Sequence, residues 1–334
     1  MARGKLTLRV LAGLTAFALA GLTACGTGGG APGASGGGGE KKAIGVSVAD
    51  QKSLFYVAAV QGMQAQAEKR GYKLVVTSAN NNSSQQVSQV NDLLTQQVGA
   101  LIFTSQDSTA AAAGVKAANK AQVPVIAVDQ RPESGQGELA TYIATDSVKA
   151  ARELCTWMFQ QMGGSGEIAI LHGVLGSTAE IQRTQGCQEA IKATPGIKVV
   201  AEETANWDET EAFKATQNIL AAHPQLKAVF GESDAMGLGA AKAAEQANRH
   251  DGMWFVGIDG FPTMFDGVKS GLTQATMAQQ PYHMGEIAVD NAIQIMEGGA
   301  ALPAEQYQDT VLINKDTVDQ NDVTKFYGPN AKSS

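Results

Sequence analysis

A strand that ends in an aspartate is the feature that most constrains how this chain can fold. The segment Trp254–Pro262 is a run of apolar and β-branched residues, too short for a helix, that stops at Gly260 and Pro262. Such a run is typical of a parallel strand that is buried on both faces. Asp259 then lies at the carboxyl end of the strand, where a carboxylate needs water, a partner or a ligand. In open α/β sheets, ligands bind at this edge.

The same pattern occurs twice more in the chain. Pro124–Asp129 also ends in an aspartate, and Ala228–Asp234 ends in Ser233 and Asp234. We therefore expect several parallel strands to deliver polar side chains to one cleft. The alternative is that these aspartates act only as helix caps or turn formers, two roles that aspartate commonly fills.

Predicted strands and helices alternate along the chain from Lys42 in two consecutive series. This alternation is typical of right-handed β-α-β units, which place helices on both faces of a parallel sheet. The length of 334 residues also exceeds the usual size of a single core, so we expect two similar α/β lobes. The tail after Asn314 is polar, and we expect it to be loosely held.

The N-terminus has the features of a secretory signal. Basic residues precede an apolar stretch from Val10 to Ala20, and small residues follow, so residues 1–24 are predicted to be a signal peptide. The ending Leu22–Cys25 matches the bacterial lipobox, which predicts that Cys25 is acylated by diacylglycerol. The glycine-rich residues up to 42 predict a flexible tether. We therefore expect a body on the extracytoplasmic face of the cell membrane, held there by its lipid anchor alone.

Two cysteines remain after Cys25, namely Cys155 and Cys187. In an oxidising compartment an even pair of cysteines favours a disulfide, and both residues lie near the starts of predicted helices. The alternative is a pair of buried free thiols.

Composition and motifs exclude several classes of function. The formal net charge is −7 and no run of five basic residues occurs, which argues against binding to nucleic acid. No phosphate loop or dinucleotide fingerprint is present, so no nucleotide cofactor is expected. The four histidines lack metal-ligand spacing, and we expect each to be a surface or packing residue with no metal site. No catalytic motif lies in a suitable structural context, so we do not expect an enzyme.

Residues from Ala43 to Ile313 carry a set of further motifs. They are Phe55-Tyr56, Pro124–Asp129, Arg183, Asn206-Trp207-Asp208, Glu232–Gly239, Gly257–Gly260 and Ala278-Gln279. Together they resemble the periplasmic sugar-binding proteins of the ribose-binding type, the solute receptors of ABC importers. The resemblance implies the type I periplasmic binding protein fold: two doubly wound parallel-sheet lobes, a hinge of three segments, and a ligand in the cleft between the lobes.

The resemblance also implies domain boundaries. The hinge segments would lie near Ala144–Ser147, Ala278–Pro281 and Gln308–Leu312. The N-terminal lobe would then comprise residues 43–145 and 280–308, and the C-terminal lobe residues 146–279 and 309–314. Residues 315–334 would form the polar tail.

The ligand that the resemblance implies is a monosaccharide or related polyol. A sugar offers apolar C–H faces and hydroxyls that both donate and accept, so its pocket needs aromatic rings together with carboxylates, arginine and amides. The aromatic candidates are Phe55, Tyr56 and Trp207, for which core packing is the alternative. The polar candidates are Asp129, Gln130, Arg183, Ser233, Asp234, Asp259 and Gln279.

Three positions depart from the pattern of the ribose receptors. Gln130 follows the strand-end aspartate where those receptors have arginine, and Ser53 and Ser233 stand where they have asparagine. The sequence therefore predicts the class of ligand and leaves the particular sugar open, with ribose not favoured.

The implied partner is an ABC permease, and we expect the receptor to be a monomer without a cofactor. The alternative partner is a chemotaxis or sensor-kinase protein. Sugar-responsive transcription regulators share the fold, but the secretory signal and the lack of a DNA-binding headpiece argue against that function.

Overall fold

The computed structural model describes residues 43–110, 112–133 and 135–331. The predicted signal peptide, the acylated Cys25 and the glycine-rich tether lie outside these residues. Among the helices described, none is long and apolar enough to cross a membrane.

Twelve strands form two six-stranded sheets within the described residues. The strands are β1 Ile44–Val48, β2 Leu74–Ser78, β3 Ala100–Phe103, β4 Val125–Val128, β5 Thr141–Thr145, β6 Ser165–His172, β7 Gly196–Thr204, β8 Leu226–Gly231, β9 Trp254–Asp259, β10 Ala275–Ala278, β11 Glu305–Gln308 and β12 Val311–Asn314.

Helices cover both sheets. They are α1 Leu54–Arg70, α2 Ser83–Thr95, α3 Ala112–Lys120, α4 Ser147–Gln161, α5 Thr178–Ala193, α6 Glu209–Ala222, α7 Asp234–Gln246, α8 Pro262–Ser270, α9 Pro281–Met296 and α10 Thr324–Tyr327, with a 3₁₀ turn at Val318–Gln320.

The two sheets have corresponding strand orders. Sheet A has the order β11-β5-β4-β3-β1-β2, and sheet B has the order β12-β10-β9-β8-β6-β7. Neighbouring strands are parallel, except that β12 runs antiparallel to β10. The predicted fold class, two doubly wound parallel-sheet lobes, is therefore confirmed.

We define the N-lobe as sheet A with α1, α2, α3 and α9, and the C-lobe as sheet B with α4 to α8. Helix pairs α1–α9 and α2–α3 pack in the N-lobe, and pairs α4–α5 and α6–α7 pack in the C-lobe. The chain passes between the two sheets three times, at residues 145–147, 278–281 and 308–311. Because parallel strands point the same way, the polar residues that follow them collect at one edge of each sheet.

Local chemistry explains where the C-lobe helices begin. The side chains of Asp146, Ser177 and Asp208 each accept a hydrogen bond from a backbone N–H in the first turn of the helix that follows. Pro262 was interpreted from sequence as a stop, and α8 was missed. Its fixed φ and missing N–H suit the first turn of a helix, where no partner for the N–H exists.

The prediction of a loosely held tail is wrong for the described residues after Asn314. Val318, Phe326 and Tyr327 are buried in the same hydrophobic core as α1, α8 and α9. Helix α10 packs against α1 and α9 of the N-lobe. The ring of Tyr327 also meets that of Phe261 in the C-lobe, with centroids 5.7 Å apart. The C-terminal segment therefore touches both lobes.

Candidate ligand-binding site

A cavity of about 710 Å³ lies between the lobes, at the carboxyl ends of the strands. Nine of the ten predicted ligand-binding residues line it: Phe55, Tyr56, Asp129, Gln130, Arg183, Trp207, Ser233, Asp259 and Gln279. Its volume falls within the range of small-molecule sites. The lining combines aromatic rings, carboxylates, a guanidinium group and amides, which together suit a ligand with apolar faces and many hydroxyls.

Asp129 forms the N-lobe wall of the cavity. Its carboxylate accepts a hydrogen bond from the Tyr56 hydroxyl at 3.1 Å. Loss of contact with water raises the pKa of Asp129, although the Arg183 charge and the Tyr56 hydrogen bond oppose the shift. The backbone of Asp129 is left-handed, with φ of 61°, and its carbonyl accepts a 2.6 Å hydrogen bond from the buried Tyr142 hydroxyl. Left-handed backbone is uncommon for residues other than glycine, and it occurs often at binding sites.

Aromatic side chains from both lobes reach the cavity. Phe55 is buried, and its ring meets that of Tyr56 edge to face. Trp207 enters from the C-lobe on a left-handed backbone, with φ of 64°, and its ring packs directly on Gly173, where a Cβ would lie 2.0 Å from the ring. The backbone at Gly173 therefore admits the indole only because no side chain is present.

Asp259 and Arg183 form the C-lobe wall. The Asp259 carboxylate accepts hydrogen bonds from Gln279 Nε2 at 2.8 Å and from the backbone N–H of Asp234 at 3.3 Å. Arg183 Nη1 lies 3.6 Å from Asp259 Oδ1, and the guanidinium group lies over the Trp207 ring at 5.5 Å. Burial raises the pKa of Asp259 to about 6, although Arg183 opposes the shift.

Arg183 has a donor without a partner. Its side chain is buried, and among the described residues its Nε finds no hydrogen-bond acceptor. A buried, unsatisfied donor costs free energy, so native proteins rarely keep one without a reason. The Arg183 side chain lines the cavity, and its Nε atom is buried from solvent.

Gln279 belongs to a hinge segment and uses both ends of its amide within the protein. Its oxygen accepts a 2.7 Å hydrogen bond from Thr145 Oγ1 in another hinge segment, and its nitrogen donates to Asp259. The predicted ligand residue therefore also links the hinge to the C-lobe carboxylate.

Gln130 joins the lobes across the rim of the cavity. Its side-chain oxygen accepts a 2.9 Å hydrogen bond from the backbone N–H of Thr178, at the N-terminus of α5. Nearby, Ser108 Oγ donates to the carbonyl of Gly176 at 3.3 Å. These contacts connect the N-lobe directly to the helix that carries Arg183.

Asp234 does not line the cavity. It is fully buried at the start of α7, where Oδ2 accepts hydrogen bonds from the N–H groups of Gly260 and Phe261 at 2.7 Å. Its Oδ1 accepts a 2.6 Å hydrogen bond from Thr276 Oγ1. Burial and the neighbouring Asp259 raise the pKa of Asp234. Asp234 therefore fits the alternative role of a turn former, since its carboxylate holds the backbone that follows β9. Ser233 lines the cavity and also caps α7.

Sequence reasoning missed several polar residues of the cavity. They include Asp50, Ser105, Gln106 and Asn206. Asp50 follows β1, and Ser105 and Gln106 follow β3, so the strand-end pattern that identified Asp129 applied to them as well. Asn206 is adjacent to Trp207 and has a left-handed backbone, with φ of 50°.

Cys155 and Cys187 form a disulfide between α4 and α5 in the structure. Both residues are fully buried. The bridge therefore braces α5, the helix on which Arg183 lies.

A second polar cluster lies beside the cavity at the ends of β6 and β8. His172 Nδ1 lies 3.2 Å from Glu232 Oε1 and 3.7 Å from Glu180 Oε1. One polar atom from each of these three residues lies within 4.8 Å of the others, so the side chains form one compact cluster. His172 is buried within this cluster, as a packing residue would be, and the absence of a metal site stays a prediction. The hydrogen bond that His172 donates to Glu232, followed by the charges of Glu232 and Glu202, raises the pKa of His172 to about 9, although burial opposes the shift.

Comparison with known proteins agrees with this geometry. The chain is 34% identical to the ribose import binding protein RbsB of Bacillus subtilis over 262 residues, which cover 78% of this chain and 84% of that protein. It is 37% identical to the xylitol-binding protein of Mycolicibacterium smegmatis over 233 residues, covering 70% and 66%.

A solved structure of an ABC transporter periplasmic solute-binding protein from Actinobacillus succinogenes, with bound D-allose, is similar with a TM-score of 0.80 and 28% identity. The match covers 84% of this chain and all of that one. These similar proteins are solute-binding proteins, so the prediction that the chain is not an enzyme is confirmed. Residues 44–300 match the family model described as periplasmic binding protein domain, and the chain belongs to this family.

Proposed function

We propose that this protein is an extracytoplasmic solute-binding lipoprotein that captures a neutral sugar or polyol and delivers it to an ABC permease. The observation that carries the proposal is the cavity between the lobes, which is lined by aromatic rings, the two strand-end carboxylates and the side chain of Arg183. Two relatives are named for ribose and for xylitol, and a similar solved structure contains bound D-allose. These ligands support the same class.

The charges in the cavity favour a neutral ligand. Its acidic lining residues are Asp50, Asp129, Asp208, Glu209 and Asp259, and its basic ones are Lys52 and Arg183. The excess of carboxylates repels an anionic ligand such as a sugar acid or a sugar phosphate. Hydroxyl groups, in contrast, can donate to these carboxylates and accept from Arg183.

Thermal-shift screening and calorimetric titration test the proposal. The panel comprises D-ribose, D-allose and xylitol, with ribose 5-phosphate as the anionic control. We expect at least one neutral member to bind and to raise the melting temperature, and we expect ribose 5-phosphate not to bind. Failure of a wider neutral sugar and polyol collection to bind would refute the function. We call the neutral compound that binds most tightly the reference ligand.

Capture requires the lobes to close on the ligand, because a ligand shifts an open–closed equilibrium only by contacting the closed state better. The contact of Gln130 with the start of α5 and that of Ser108 with Gly176, just before α5, belong to the closed arrangement. We expect small-angle scattering to give a smaller radius of gyration when the reference ligand is present. An unchanged radius with bound ligand would contradict hinge closure.

Exposed apolar residues at the cleft support delivery to a permease. Leu54 of the N-lobe is 45% exposed, and Leu175 and Ile181 of the C-lobe are 62% and 54% exposed. Leu54 lines the cavity and Leu175 follows the lining residue Val174, so both are placed for a permease to contact them at the cleft. We expect Leu175→Asp to reduce uptake of the reference ligand by cells while leaving its Kd unchanged. Normal uptake by this variant would argue against the rim as the docking surface.

The anchor is tested separately. We expect Cys25→Ser to release the protein from the membrane fraction without altering ligand affinity, because the tether separates the lipid from the lobes. Equal retention of the variant and the wild type would remove the lipoprotein assignment. We also propose that the receptor is monomeric, which light scattering after gel filtration tests.

A further inference from the structure

The cluster around His172 has no part in the function proposed above, yet it touches the backbone that holds Arg183. Glu232 is fully buried after β8, and its side chain accepts three hydrogen bonds. The donors are the Gly173 N–H at 2.9 Å, Thr184 Oγ1 at 2.6 Å and His172 Nδ1 at 3.2 Å. Because these contacts come from β6 and α5, the Glu232 side chain is fixed between two elements of the C-lobe.

The main chain of Glu232 makes the connection to the cavity. Its carbonyl oxygen accepts a 2.5 Å hydrogen bond from Arg183 Nη1. The guanidinium group is therefore held on one side by this carbonyl and lies near Asp259 on the other, at 3.6 Å. Its Nε remains without a partner among the described residues. Any shift of the Glu232 carbonyl would therefore move the guanidinium group of Arg183, a residue that lines the cavity.

His172 is held between carboxylates from three elements. Its Nδ1 faces Glu232 after β8 and Glu180 of α5, and its Nε2 lies 3.0 Å from Glu202 of β7. With carboxylates on both ring nitrogens, both nitrogens can act as donors only when the ring is an imidazolium. The loss of one proton would leave one carboxylate contact without a hydrogen.

We propose that the imidazolium of His172 is a positioning residue for the ligand site, acting through Glu232 to fix the guanidinium group of Arg183. This inference rests on the proposed function, since it assigns the positioning to the sugar-binding cavity. His172 itself is not among the residues that line the cavity. The pKa of about 9 places the loss of the imidazolium charge above neutral pH.

The first test uses the ligand-free protein and the nitrogen NMR signals of His172 and Arg183, assigned with His172→Gln and Arg183→Lys. We expect one transition near pH 9 at which His172 loses its proton and the Arg183 Nε–H begins to exchange faster with water. If the histidine titrates and the Arg183 signal does not respond, the proposal is wrong. This outcome is independent of whether any sugar binds.

Variants of the pair provide the second test. His172→Gln leaves Glu232 without its cationic donor, and we expect exchange of the Arg183 Nε–H to be about tenfold faster at pH 7.5. The double variant His172→Gln/Glu232→Gln replaces the ion pair by two amides, which can still hydrogen-bond to each other, to Thr184 and to Gly173. We expect the double variant to restore slow exchange and to abolish the transition near pH 9. A double variant that keeps the transition would overturn the assignment to this pair.

Titration with D-ribose, D-allose and xylitol completes the experiment. For the member that binds, we expect His172→Gln to weaken affinity about tenfold at pH 7.5 and the double variant to recover most of it. The matched control is His283→Gln, which breaks an exposed pair with Glu286 at 3.1 Å and should change neither exchange nor affinity. Binding that is insensitive to His172→Gln would refute the proposal, whereas slow exchange with no sugar binding would refute only the proposed function.

Discussion

Asp129 and Asp259 occupy equivalent places in the two lobes but are held differently. Asp129 follows β4 and Asp259 ends β9, and these strands have the same rank in the two sheet orders. Within the described residues, the Asp129 carboxylate accepts one side-chain hydrogen bond, from Tyr56. The Asp259 carboxylate accepts from Gln279 and from the backbone of α7, and it lies near Arg183. The C-lobe wall is therefore organised in advance, while the N-lobe carboxylate keeps more of its capacity for the ligand.

A tyrosine serves each aspartate in a corresponding way. The Tyr142 hydroxyl donates to the main-chain carbonyl of Asp129, and the Tyr327 hydroxyl donates to that of Asp259 at 2.9 Å. Tyr142 belongs to the adjacent strand of the same lobe, whereas Tyr327 comes from the C-terminal segment that also packs on the N-lobe. Each aspartate thus accepts a main-chain hydrogen bond from a tyrosine, which is close in sequence for Asp129 and distant in sequence for Asp259.

The largest expected difference between the lobes is in the free energy of unfolding, because the disulfide braces only the C-lobe. The cysteines at 155 and 187 both lie in the C-lobe, 32 residues apart. Because the bridge restricts the unfolded chain, we expect reduction to lower the free energy of unfolding of this lobe by about 3–4 kcal/mol, without a matching loss of ligand affinity. Denaturant unfolding with and without reductant measures the effect.

Mass spectrometry provides the control for this first prediction. Alkylation of natively exported protein without reductant should modify neither cysteine, and two alkylated thiols would contradict the bridge. The variant Cys155→Ala/Cys187→Ala should unfold identically with and without reductant.

Truncation of the two aspartates tests the comparison directly. Asp259→Ala removes a ligand acceptor and also releases Gln279 and Arg183, two cavity residues that it holds in place, so we expect a loss of binding free energy of about 3 kcal/mol, or roughly a hundredfold in Kd. Asp129→Ala removes a ligand acceptor and releases only Tyr56, so we expect a loss of about 1.5 kcal/mol, or roughly tenfold in Kd. Calorimetry with the reference ligand measures both, and thermal melting should show the larger loss for Asp259→Ala. Unchanged affinity in both variants would refute the placement of the site.

Acid should affect binding and stability in opposite directions. The pKa of Asp259 is raised to about 6 from an unfolded value near 4, so the native state takes up a proton more readily than the unfolded chain. Through this group, stability rises as pH falls from about 6 towards 4, while the ionised acceptor is lost. We expect affinity to fall about tenfold for each pH unit below 6, while the contribution of Asp259 raises the melting temperature of the ligand-free protein between pH 6 and 5.

The matched variants of this pH experiment are Asp259→Asn and Asp129→Asn, which retain the shape of the side chains. We expect Asp259→Asn to lose the dependence of affinity on pH near 6 and Asp129→Asn to keep it. The same pH dependence in Asp259→Asn as in the wild type would assign the titration to another group.

Substitution of the two tyrosines should give smaller effects than substitution of the two aspartates. Tyr142→Phe and Tyr327→Phe each remove one hydroxyl and leave the main-chain carbonyl of a cavity aspartate without its donor. Because the aspartate is then held less firmly, we expect the binding free energy to weaken by about 1 kcal/mol, or roughly fivefold in Kd. Because Tyr327 also joins the C-terminal segment to the C-lobe, we expect only Tyr327→Phe to change the radius of gyration of the ligand-free protein. Small-angle scattering that is identical for both variants would show that the C-terminal segment does not influence closure.

The smallest effect is expected at the rim. Gln130→Leu removes the acceptor for the Thr178 N–H, a contact that exists only while the lobes touch. We expect affinity to fall about threefold, mostly through faster dissociation of the ligand, because only the closed state is weakened. Stopped-flow measurement of dissociation tests this, with Gln136→Leu as control, because the side chain of the half-buried Gln136 bonds only to Lys116 of the same lobe among the described residues. A change in the association rate alone would argue against a contact of the closed state.

Much of the molecule was predictable because its patterns are local. Alternating strands and helices gave the two doubly wound lobes, and polar residues after buried strands identified Asp129, Ser233 and Asp259 as cavity residues. The same rule, applied more widely, would have found Asp50 and Ser105. The motif resemblance added Trp207 and Arg183, which lie in a loop and a helix where no periodicity distinguishes them.

By itself, the sequence determined the fold class, the family and the edge of each sheet where polar groups collect, because these follow from residue periods and short motifs. Only the tertiary structure decided which polar groups face the cavity. Asp234 and Asp259 both stand at strand ends, yet Asp234 is satisfied by the backbone of Gly260 and Phe261, whereas Asp259 lines the site. Tertiary structure also buried the C-terminal segment and brought Tyr327 to a residue 68 positions away. Such partners depend on how distant segments pack, and local sequence patterns carry no information about that packing.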